Sequence, residues 1–482
     1  MPVKRRSALQ LAAATAAFTL VTGNRARGER APNLLVICVD DLNHWVGHLG
    51  APQRAITPWI DSLAARGTSF SHAYCPAPYC NASRMAVFSG MLPMSTGIYK
   101  DEPYWQRTQR PPTFFELARQ HHYFLYGAGK VFHGRYDYPT AQTQGQSHAQ
   151  WLDLQNRPAL WDGYQPLAPE PLAQPFPSHG LATAQDGQPW SAQFDWGVLT
   201  PEQERQHPDV VTAQAVAAFL RQPTREPFLC VAGFYKPHLP WYAPQRWLDR
   251  YPLDQLVMPT VDARDLNDVP PLARQWALNP ADQQTLEARQ FTRQAVQAYK
   301  ASISFADEQI GTVLQTLWTS PLRDNTIVAL WSDNGFHLGE KLHWRKFTLW
   351  EEATRVPMII SAPQRGAYRS VVPSPVSVID LFPTLFAMAG LPVPMGIDGQ
   401  SLLPLMRSGD PGAAAPALMS WGEGNHSIRQ HHWRYTRYSD QTEELYDLEA
   451  DPLEHRNLAA DPASAATLAQ MRQTLQRLVR RK

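Results

Sequence analysis

Short runs of apolar residues alternate with helical patterns along most of the chain. The runs NLLVICV (33–39), PFLCVAGF (227–234), TIVALWS (326–332) and VPMIIS (356–361) have the length of strands that are buried on both faces. Between them, residues 291–318 repeat apolar positions with helical spacing. Buried strands that alternate with helices predict an α/β fold, in which a large mixed, mostly parallel sheet is sandwiched by helices.

Changes in composition predict how the chain divides into domains. Residues 138–199 are rich in Gln, Pro, Gly and Ala, which indicates a long loop-rich insertion within a catalytic domain of residues 31–414. From residue 415 onward, short strands around ALMSW, WRYTRY and EELYDL precede a final helix over 462–482. We therefore expect a smaller C-terminal α+β subdomain over residues 415–482.

The first 30 residues have the pattern of an export signal. Basic residues precede an apolar run from Ala8 to Val21, which is too short and too rich in alanine to span a bilayer comfortably. The pair Arg5-Arg6 resembles a twin-arginine signal. We expect an exported protein, periplasmic or extracellular, without stable membrane insertion.

Charge and cysteine content exclude several classes of protein. Lys and Arg total 44 against 43 Asp and Glu, so no overall field favours nucleic acid or an anionic membrane. Four cysteines are too few for a disulfide framework. Cys38 and Cys230 lie inside apolar runs and are expected in the core, and Cys75 is expected to be structural. Cys80 remains to be explained.

Acidic residues follow two of the predicted strands. The first run ends in Asp40-Asp41, and TIVALWS ends in Asp333-Asn334. Ligands of open α/β sheets collect beyond the carboxyl ends of strands. Three carboxylates and an amide are hard oxygen donors, which suit Ca²⁺ or Mg²⁺ and disfavour zinc. This pattern predicts a divalent metal site.

The stretch CNASR, residues 80–84, precedes a segment of helical character. Cys80 would then lie at a helix N-terminus, where free amides attract an anion and lower the pKa of a thiol. Arg84 follows four residues later on the same face and would neutralise an oxyanion. A buried cysteine with a surface arginine explains the spacing equally well, so both interpretations stay open at this point.

A family resemblance favours the first interpretation. Cys80-Asn81-Ala82-Ser83-Arg84 followed by Ser89-Gly90 resembles the sulfatase signature Cys-x-Pro-Ser-Arg followed by Thr-Gly, whose cysteine is oxidised to formylglycine after translation. The resemblance continues through VDDL, GKVFH, GFYKPHLPW, SDNGFHLGEKLHWRK, DLFPTLFAMAGLPVPMGIDG and ELYDLEADPLEHRNL. The chain is similar to type I (formylglycine-dependent) sulfatases of the alkaline phosphatase superfamily, and GKVFH and YKPH most resemble the iduronate-2-sulfatase branch.

The resemblance implies a metal site and a set of catalytic residues. The implied ligands of one divalent ion, Ca²⁺ in most relatives with Mg²⁺ as the alternative, are Asp40, Asp41, Asp333, Asn334 and Cys80 as formylglycine. The implied catalytic residues are Cys80, Arg84, Lys130, His133, Lys236, His238 and Lys346. His337 either lines the substrate pocket or is structural.

The implied roles follow from the chemistry of a sulfate ester. Formylglycine, as its hydrate, would be the nucleophile, and Arg84 would hold it and the metal site in place. The lysines would bind the anionic sulfate and lower the barrier to attack on it. His133 is the natural base for sulfate release and His238 the natural acid for the departing alcohol, and these two roles are interchangeable at this stage.

Ala82 is a departure from the family pattern, which has proline at that position. The modifying enzyme, a formylglycine-generating enzyme, reads this motif in an extended segment, and proline favours that shape. We therefore expect less efficient conversion of Cys80 in this chain.

The resemblance implies a sulfatase that acts on a sulfated saccharide, such as a sulfated uronate. Two alternatives remain. One is a phosphate or phosphonate monoester hydrolase of the same superfamily. The other is an unmodified protein that binds sulfated glycans through its cationic pocket without catalysis.

Overall fold

The computed structural model describes residues 31–102, 104, 110–133, 160–168, 194–222, 227–362, 368–408 and 414–480. The predicted export signal and most of the predicted insertion lie outside these residues. The strands are β1 Asn33–Val39, β2 Thr68–Phe70, β3 Ala73–Tyr74, β4 Phe124–Gly129, β5 Gly163–Gln165, β6 Trp196–Leu199, β7 Phe228–Phe234, β8 Trp241–Pro244, β9 Thr326–Ser332, β10 His337–Leu338, β11 Trp344–Arg345, β12 Arg355–Val356, β13 Met358–Ser361, β14 Val371–Val372, β15 Val376–Ser377, β16 Ala417–Ser420, β17 His426–Gln430, β18 Trp433–Arg437 and β19 Glu443–Asp447. The helices are α1 Pro58–Ala65, α2 Cys80–Ser89, α3 Pro93–Thr96, α4 Phe114–Gln120, α5 Pro201–Gln206, α6 Pro208–Arg221, α7 Gln245–Leu248, α8 Pro271–Leu278, α9 Asp282–Ala288, α10 Thr292–Trp318, α11 Glu351–Thr354, α12 Leu381–Met388, α13 Leu403–Ser408 and α14 Ala465–Arg480.

An eight-stranded mixed sheet forms the centre of the fold, in the order β14-β2-β13-β9-β1-β7-β4-β5. The five strands β9, β1, β7, β4 and β5 run parallel to one another, and β13 runs antiparallel to its neighbours β9 and β2. The predicted mostly parallel α/β sheet is therefore confirmed. The run VPMIIS differs in detail, because it supplies the antiparallel strand β13 and part of β12.

Strand β1 explains why the apolar runs are continuous. Leu34, Val36 and Cys38 belong to the core on one side of the sheet, and the alternate residues belong to the core on the other side. Helices α2, α4 and α12 cover the first side, and α1, α6 and the long α10 cover the second. Because both faces are covered, residues 34–39 of the strand are all apolar, and the next polar side chain comes just beyond its end.

The described parts of the predicted loop-rich insertion contain two short strands. β5 extends the edge of the main sheet beside β4, and β6 pairs with β8. Both strands are too short to show a period in the sequence, so composition alone did not reveal them.

A four-stranded antiparallel sheet, β16-β17-β18-β19, lies in the C-terminal part of the chain, and α14 packs against β17 and β18. Strand β17 was missed, because its sequence HSIRQ has only one large apolar residue. Apolar residues of this sheet belong to the same core as α2 and α12. The domain boundary at residue 415 stays a prediction. Within the described residues, no helix combines the length and apolar character that crossing a bilayer requires.

Arg434 of β18 joins this small sheet to the catalytic part of the chain. Its side chain is fully buried, and it pairs with Glu351 at 2.5 Å and Glu454 at 2.6 Å. It also donates to the backbone carbonyl of Leu349 at 2.7 Å. The guanidinium thus compensates two buried carboxylates from separate segments.

We expect Arg434→Ala to be strongly destabilising, because it leaves two buried carboxylates without their main partner. The loss of about 3–5 kcal/mol typical of a broken buried pair corresponds to a fall of about 3–5 °C in the midpoint of thermal unfolding for a chain of this length. Arg472→Ala is the matched control, since it removes an exposed pair with Glu443 and should lower the midpoint by about 1 °C or less. Equal midpoints for the two variants would contradict this account.

Candidate active site

Four strands of the main sheet end at the same edge. Val39 of β1 is in register with Ser332 of β9, and Gly129 of β4 is in register with Gly233 of β7. The chain therefore delivers Asp40, Asp333, Lys130 and Lys236 just beyond this edge. The parallel topology converts four distant sequence motifs into one cluster.

Gly129 and Gly233 allow two of these strands to end close together. Gly129 has a φ of +75°, and a Cβ there would collide with the backbone oxygen of Gly233. A Cβ on Gly233 would in turn collide with the backbone of Lys130. The glycines in the GKVFH and GFYKPH motifs are therefore required by close packing of the backbone beside the site.

Three carboxylates lie together at this edge, and all are essentially buried: Asp40, Asp41 and Asp333. Asp41 has a φ of +58°, and its backbone N–H donates to Asp333 Oδ1 at 3.1 Å. Burial opposes ionisation, yet Lys130 and the neighbouring cations hold the pKa of Asp40 well below its usual range. Burial raises the pKa of Asp333 to about 7, although Arg84 opposes this shift.

Cys80 is the first residue of the buried helix α2 and faces the carboxylates. Its Sγ lies 3.3 Å from Asp40 Oδ1 and 3.9 Å from Asp41 Oδ1, and Lys346 Nζ donates to it at 2.7 Å. The expectation that the helix N-terminus lowers the thiol pKa is wrong. Burial and the charge of Asp40 raise the pKa of the Cys80 thiol well above its usual value.

Arg84 lies one helical turn after Cys80 and is also fully buried. Its Nε donates to Asp333 Oδ2 at 2.8 Å, and Nη1 donates to the backbone oxygens of Lys130 at 2.5 Å and Val131 at 3.0 Å. The Nε and Nη1 groups of Arg84 are therefore occupied by protein acceptors and do not face an open site for an anion. It fastens α2 to the ends of β9 and β4, in keeping with the holding role that the resemblance implies.

Lys130 and Lys346 each pair with one carboxylate of the cluster. Lys130 Nζ contacts Asp40 Oδ2, and Lys346 Nζ donates to Asp41 Oδ1 at 2.5 Å. Both lysines are at least nine-tenths buried. Together with Arg84, these two lysines balance the charges of the three carboxylates.

Two histidines flank the cluster and are less deeply buried than the lysines. His238 Nε2 lies 3.9 Å from Asp41 Oδ2, and its Nδ1 lies 2.6 Å from the backbone oxygen of Leu239. His133 Nε2 lies 3.3 Å from Asp101 Oδ1, and its Nδ1 is buried without a hydrogen-bond partner. Burial lowers the pKa of His238 to about 4 and that of His133 well below its usual range.

Two candidate residues contact other groups. Lys236 is fully buried, and its Nζ donates to the backbone oxygen of Pro240 at 2.5 Å and lies 5.0 Å from the ring centroid of Tyr235. His337 is fully buried and bonds Thr348 Oγ1 at 2.8 Å through Nε2. His337 is therefore structural, whereas the role of Lys236 stays a prediction.

The residues at the sheet edge fit a divalent metal ion. Asp40, Asp41, Cys80 and Asp333 each offer a ligand atom, and these atoms all lie within 4.8 Å of one another. Asn334 Nδ2 donates to Asp41, but its Oδ1 is buried without a hydrogen-bond partner and is therefore available as a further ligand. A set dominated by hard oxygen donors suits Ca²⁺ or Mg²⁺.

Several residues around the site were missed by the sequence analysis. They are the partly exposed rings of Tyr79, Phe347 and Trp421 and the exposed Lys100 and Asp101. Tyr79 and Phe347 are the sequence neighbours of Cys80 and Lys346, and this adjacency was the available signal. Trp421, Lys100 and Asp101 approach only through the tertiary fold.

The main sheet with helices on both faces has an alkaline phosphatase-like fold, which solved structures of other proteins share. The solved structure of a phosphonate monoester hydrolase from Agrobacterium radiobacter matches 93% of this chain and 95% of its own, with a TM-score of 0.73 at 19% identity. The structure of a 2-O GAG sulfatase matches 94% and 92%, with a TM-score of 0.69 at 23% identity. These matches show the fold.

The family follows from the sequence comparisons. The sulfatase family profile matches residues 32–391, and a profile described as N-sulphoglucosamine sulphohydrolase, C-terminal, matches residues 339–481. A sulfatase of Formosa agariphila is 32% identical over 89% of this chain and 83% of its own length. The chain belongs to the sulfatase family and is a sulfuric ester hydrolase.

Other relatives connect the chain to enzymes named for sulfated uronates. A delta 4,5-hexuronate-2-O-sulfatase of Bacteroides thetaiotaomicron is 27% identical over 94% of this chain and 90% of its own length. The iduronate 2-sulfatase of Mus musculus is 28% identical over 78% and 72%. The resemblance to this branch, derived above from GKVFH and YKPH, is confirmed.

We expect Ca²⁺ to raise the midpoint of thermal unfolding of chelator-treated protein, because the buried ligands meet only in the folded state. At about 100 times the dissociation constant the gain is about 2.7 kcal/mol, or about 2–3 °C for a chain of this length. Scanning fluorimetry with and without Ca²⁺ or Mg²⁺ measures it. Asp333→Asn should lose most of the shift, and Asp324→Asn, an exposed residue before β9, should keep it. An equal shift in both variants would refute the site.

Proposed function

We propose that this sulfatase hydrolyses a sulfate ester of an acidic carbohydrate, with formylglycine at position 80 and one divalent ion, Ca²⁺ or alternatively Mg²⁺. The observation that carries the proposal is the position of Cys80 Sγ, which lies between Asp40 of the metal cluster and the ammonium of Lys346. A nucleophile formed there has a metal on one side and a cation for the sulfate on the other.

The charge balance of the cluster supports an anionic substrate. Three carboxylates are paired with three cations, so the charges of the ion pairs sum to zero. A bound divalent ion would add two positive charges, which would lower the cost of bringing an anionic ester to an anionic nucleophile. A sulfate monoester, which carries one negative charge, meets this requirement.

The protein side chains supply binding and proton transfer. Formylglycine supplies, as its hydrate, one hydroxyl for attack on sulfur and a second whose deprotonation expels sulfate. Lys130 pairs with Asp40 and Lys346 pairs with Asp41, and we assign both lysines to bind the sulfate oxygens. Arg84, tied to Asp333, keeps residue 80 at this position.

The two histidines differ in their charged neighbours. The carboxylate of Asp41 lies 3.9 Å from His238 Nε2 and opposes the lowering of the His238 pKa by burial, so we assign His238 as the proton donor to the departing alcohol. Burial disfavours a protonated His133 as well, and Arg84 there adds to Lys130 and Lys346, which act on both histidines. We assign His133, with its free Nδ1, as the base for sulfate release.

The relatives named for hexuronate and iduronate 2-sulfates support a sulfated uronate as the substrate class. A phosphonate monoester is the second candidate, because it is also a monoanion and a phosphonate monoester hydrolase shares the fold. It is less well supported, because the family profile and the relatives described above are sulfatases.

We further propose that the chain is exported to the periplasm or the exterior, supported by the basic and apolar pattern of residues 1–30. Its Cys80 is converted beforehand by a formylglycine-generating enzyme. Conversion must precede folding, because Cys80 is buried at the start of α2 in the folded protein.

Mass spectrometry of the tryptic peptide Gly67–Arg84 tests the proposal directly. We expect an aldehyde at residue 80 and an unmodified thiol at Cys75, whose Sγ is buried against the backbone oxygen of Ala353. Hydrolysis of an aryl sulfate should exceed that of the matched aryl phosphonate monoester. Cys80→Ser should retain attack but lose release, giving at most one turnover per active site. Full turnover by protein with only a thiol at residue 80 would refute the mechanism.

We expect Ala82→Pro to raise the fraction of protein that carries formylglycine. Proline favours the extended shape read by the modifying enzyme, and the third position of α2 tolerates it because the first backbone N–H groups of a helix have no intrahelical partner. The same mass spectrometry measures the converted fraction. Ala86→Pro, in the interior of α2, is the control that should disrupt folding. An unchanged fraction in soluble, active Ala82→Pro would contradict this reasoning.

A further inference from the structure

The rings of Tyr79, Phe347 and Trp421 form one surface beside the site, which we term the aromatic arc. Trp421 follows β16 of the C-terminal sheet. The Tyr79 and Trp421 ring centroids are 5.8 Å apart with planes at 21°, and those of Phe347 and Trp421 are 5.5 Å apart with planes at 28°. Three segments that are far apart in the sequence therefore meet in a single stack.

The aromatic arc runs from one predicted catalytic residue to another. At one end the Tyr79 ring lies 5.8 Å from the His133 ring, and at the other Lys346 Nζ lies 5.9 Å from the Phe347 ring. All three rings of the arc are partly exposed, whereas Lys346 is buried. The arc is therefore a partly exposed surface that reaches two predicted catalytic residues.

Local hydrogen bonds hold the arc in place. Trp421 donates its backbone N–H to the oxygen of Asn425 at 3.1 Å, across a turn in which Gly422 has a φ of +67°. The Tyr79 hydroxyl donates to Asp101 Oδ2 at 2.6 Å. Because the rings are stacked and tethered before substrate arrives, binding against them costs little ordering entropy.

Lys100 gives one edge of the arc a positive charge. Its exposed ammonium lies 5.1 Å from the Trp421 ring centroid, and Asn81 Nδ2 donates a hydrogen bond of 2.6 Å to the backbone oxygen of Lys100. Acidic residues also lie nearby: Glu102 accepts the backbone N–H groups of Tyr99 and Lys100, and Asp101 contacts Tyr79 and His133. The ammonium of Lys100 is exposed beside Trp421, where it can pair with an anionic group of a ligand bound on the arc.

We propose that the aromatic arc and Lys100 form the subsite that selects the alcohol of the ester, and that they take a pyranose ring bearing a second anionic group, a carboxylate or another sulfate. This inference rests on the proposed function. The apolar C–H face of the sugar packs on the exposed parts of the rings, and the ammonium pairs with the anion. A small cationic alcohol such as choline can contact the rings through its cation but gains no pairing with the ammonium of Lys100.

Kinetics on matched substrates test the role of Lys100. The substrates are sulfated pyranosides that differ only in carrying a carboxylate or a neutral hydroxymethyl group, together with choline sulfate and 4-nitrophenyl sulfate. We expect the wild type to prefer the carboxylate-bearing member. Lys100→Glu should raise KM for that member about tenfold, as reversal of a charge at a binding rim does. The kcat for that member and the KM for the neutral member should change little.

Arg323→Glu is the matched control for Lys100→Glu. It makes the same change of charge at an exposed residue before β9, at the opposite end of the sheet, and should leave all four substrates unaffected. A preference of the wild type for the neutral pyranoside or for choline sulfate would overturn the proposal. So would an equal effect of the two charge reversals on the carboxylate-bearing substrate.

Variants of Trp421 test the stacking contact. Trp421→Ala should raise KM for both pyranosides about 3- to 10-fold, the range of a lost aromatic contact, and Trp421→Phe should recover part of this loss. The midpoint of thermal unfolding and mass spectrometry of residue 80 establish for each variant that it is folded and that Cys80 is converted. Unchanged KM values for the pyranosides in Trp421→Ala would refute the subsite.

The outcomes separate this inference from the proposed function. Wild-type protein that carries formylglycine and hydrolyses none of the four sulfate esters would refute the proposed function and the subsite with it. Wild-type protein that hydrolyses 4-nitrophenyl sulfate and neither pyranoside would leave the sulfatase mechanism standing and would refute the subsite alone.

Discussion

Charge compensation at the carboxyl edge of the main sheet is the interaction on which the rest of the structure depends. Arg84 and Asp333 pair at 2.8 Å, and neither side chain is exposed to solvent. Buried carboxylates that lie this close together are tolerated only when cations and a metal compensate them. The pairing also ties α2 to the ends of the strands, so the same contacts stabilise the cluster and position residue 80.

The C-terminal sheet contributes to the site from outside the catalytic core. The pair of Arg434 with Glu351 holds this sheet against the segment that follows β11, and Glu454, after β19, accepts the backbone N–H of Glu351 at 2.8 Å. The sheet in turn presents Trp421 to Tyr79, the residue just before Cys80. A buried electrostatic contact between two parts of the chain thus supports the position of Trp421 beside the site. The predicted catalytic residues lie at the edge of the main sheet. We infer that selection of the alcohol involves both the main sheet and the C-terminal sheet.

The sequence predicted most of the main sheet and the cluster of carboxylates. Continuous apolar runs identified β1, β7 and β9, and the acidic residues that end two of them indicated the metal site. The predicted shift of the Cys80 thiol pKa had the wrong direction. The sequence showed the position at a helix N-terminus but not the burial of the thiol beside Asp40. His337 shares a motif with catalytic residues and yet is structural, because its side chain points into the core.

The sequence by itself determined the fold class and the family and predicted which residues carry chemistry, because apolar period, strand ends and the CNASR motif are local features that can be read without a fold. Only the tertiary structure decided which charged groups compensate one another and which rings lie beside the site. Examples are the ion pair of Lys346 with Asp41 and the stacking of Trp421 on Tyr79. These contacts join residues hundreds of positions apart. Their energies depend on burial and on distances of a few ångströms, which no local pattern encodes.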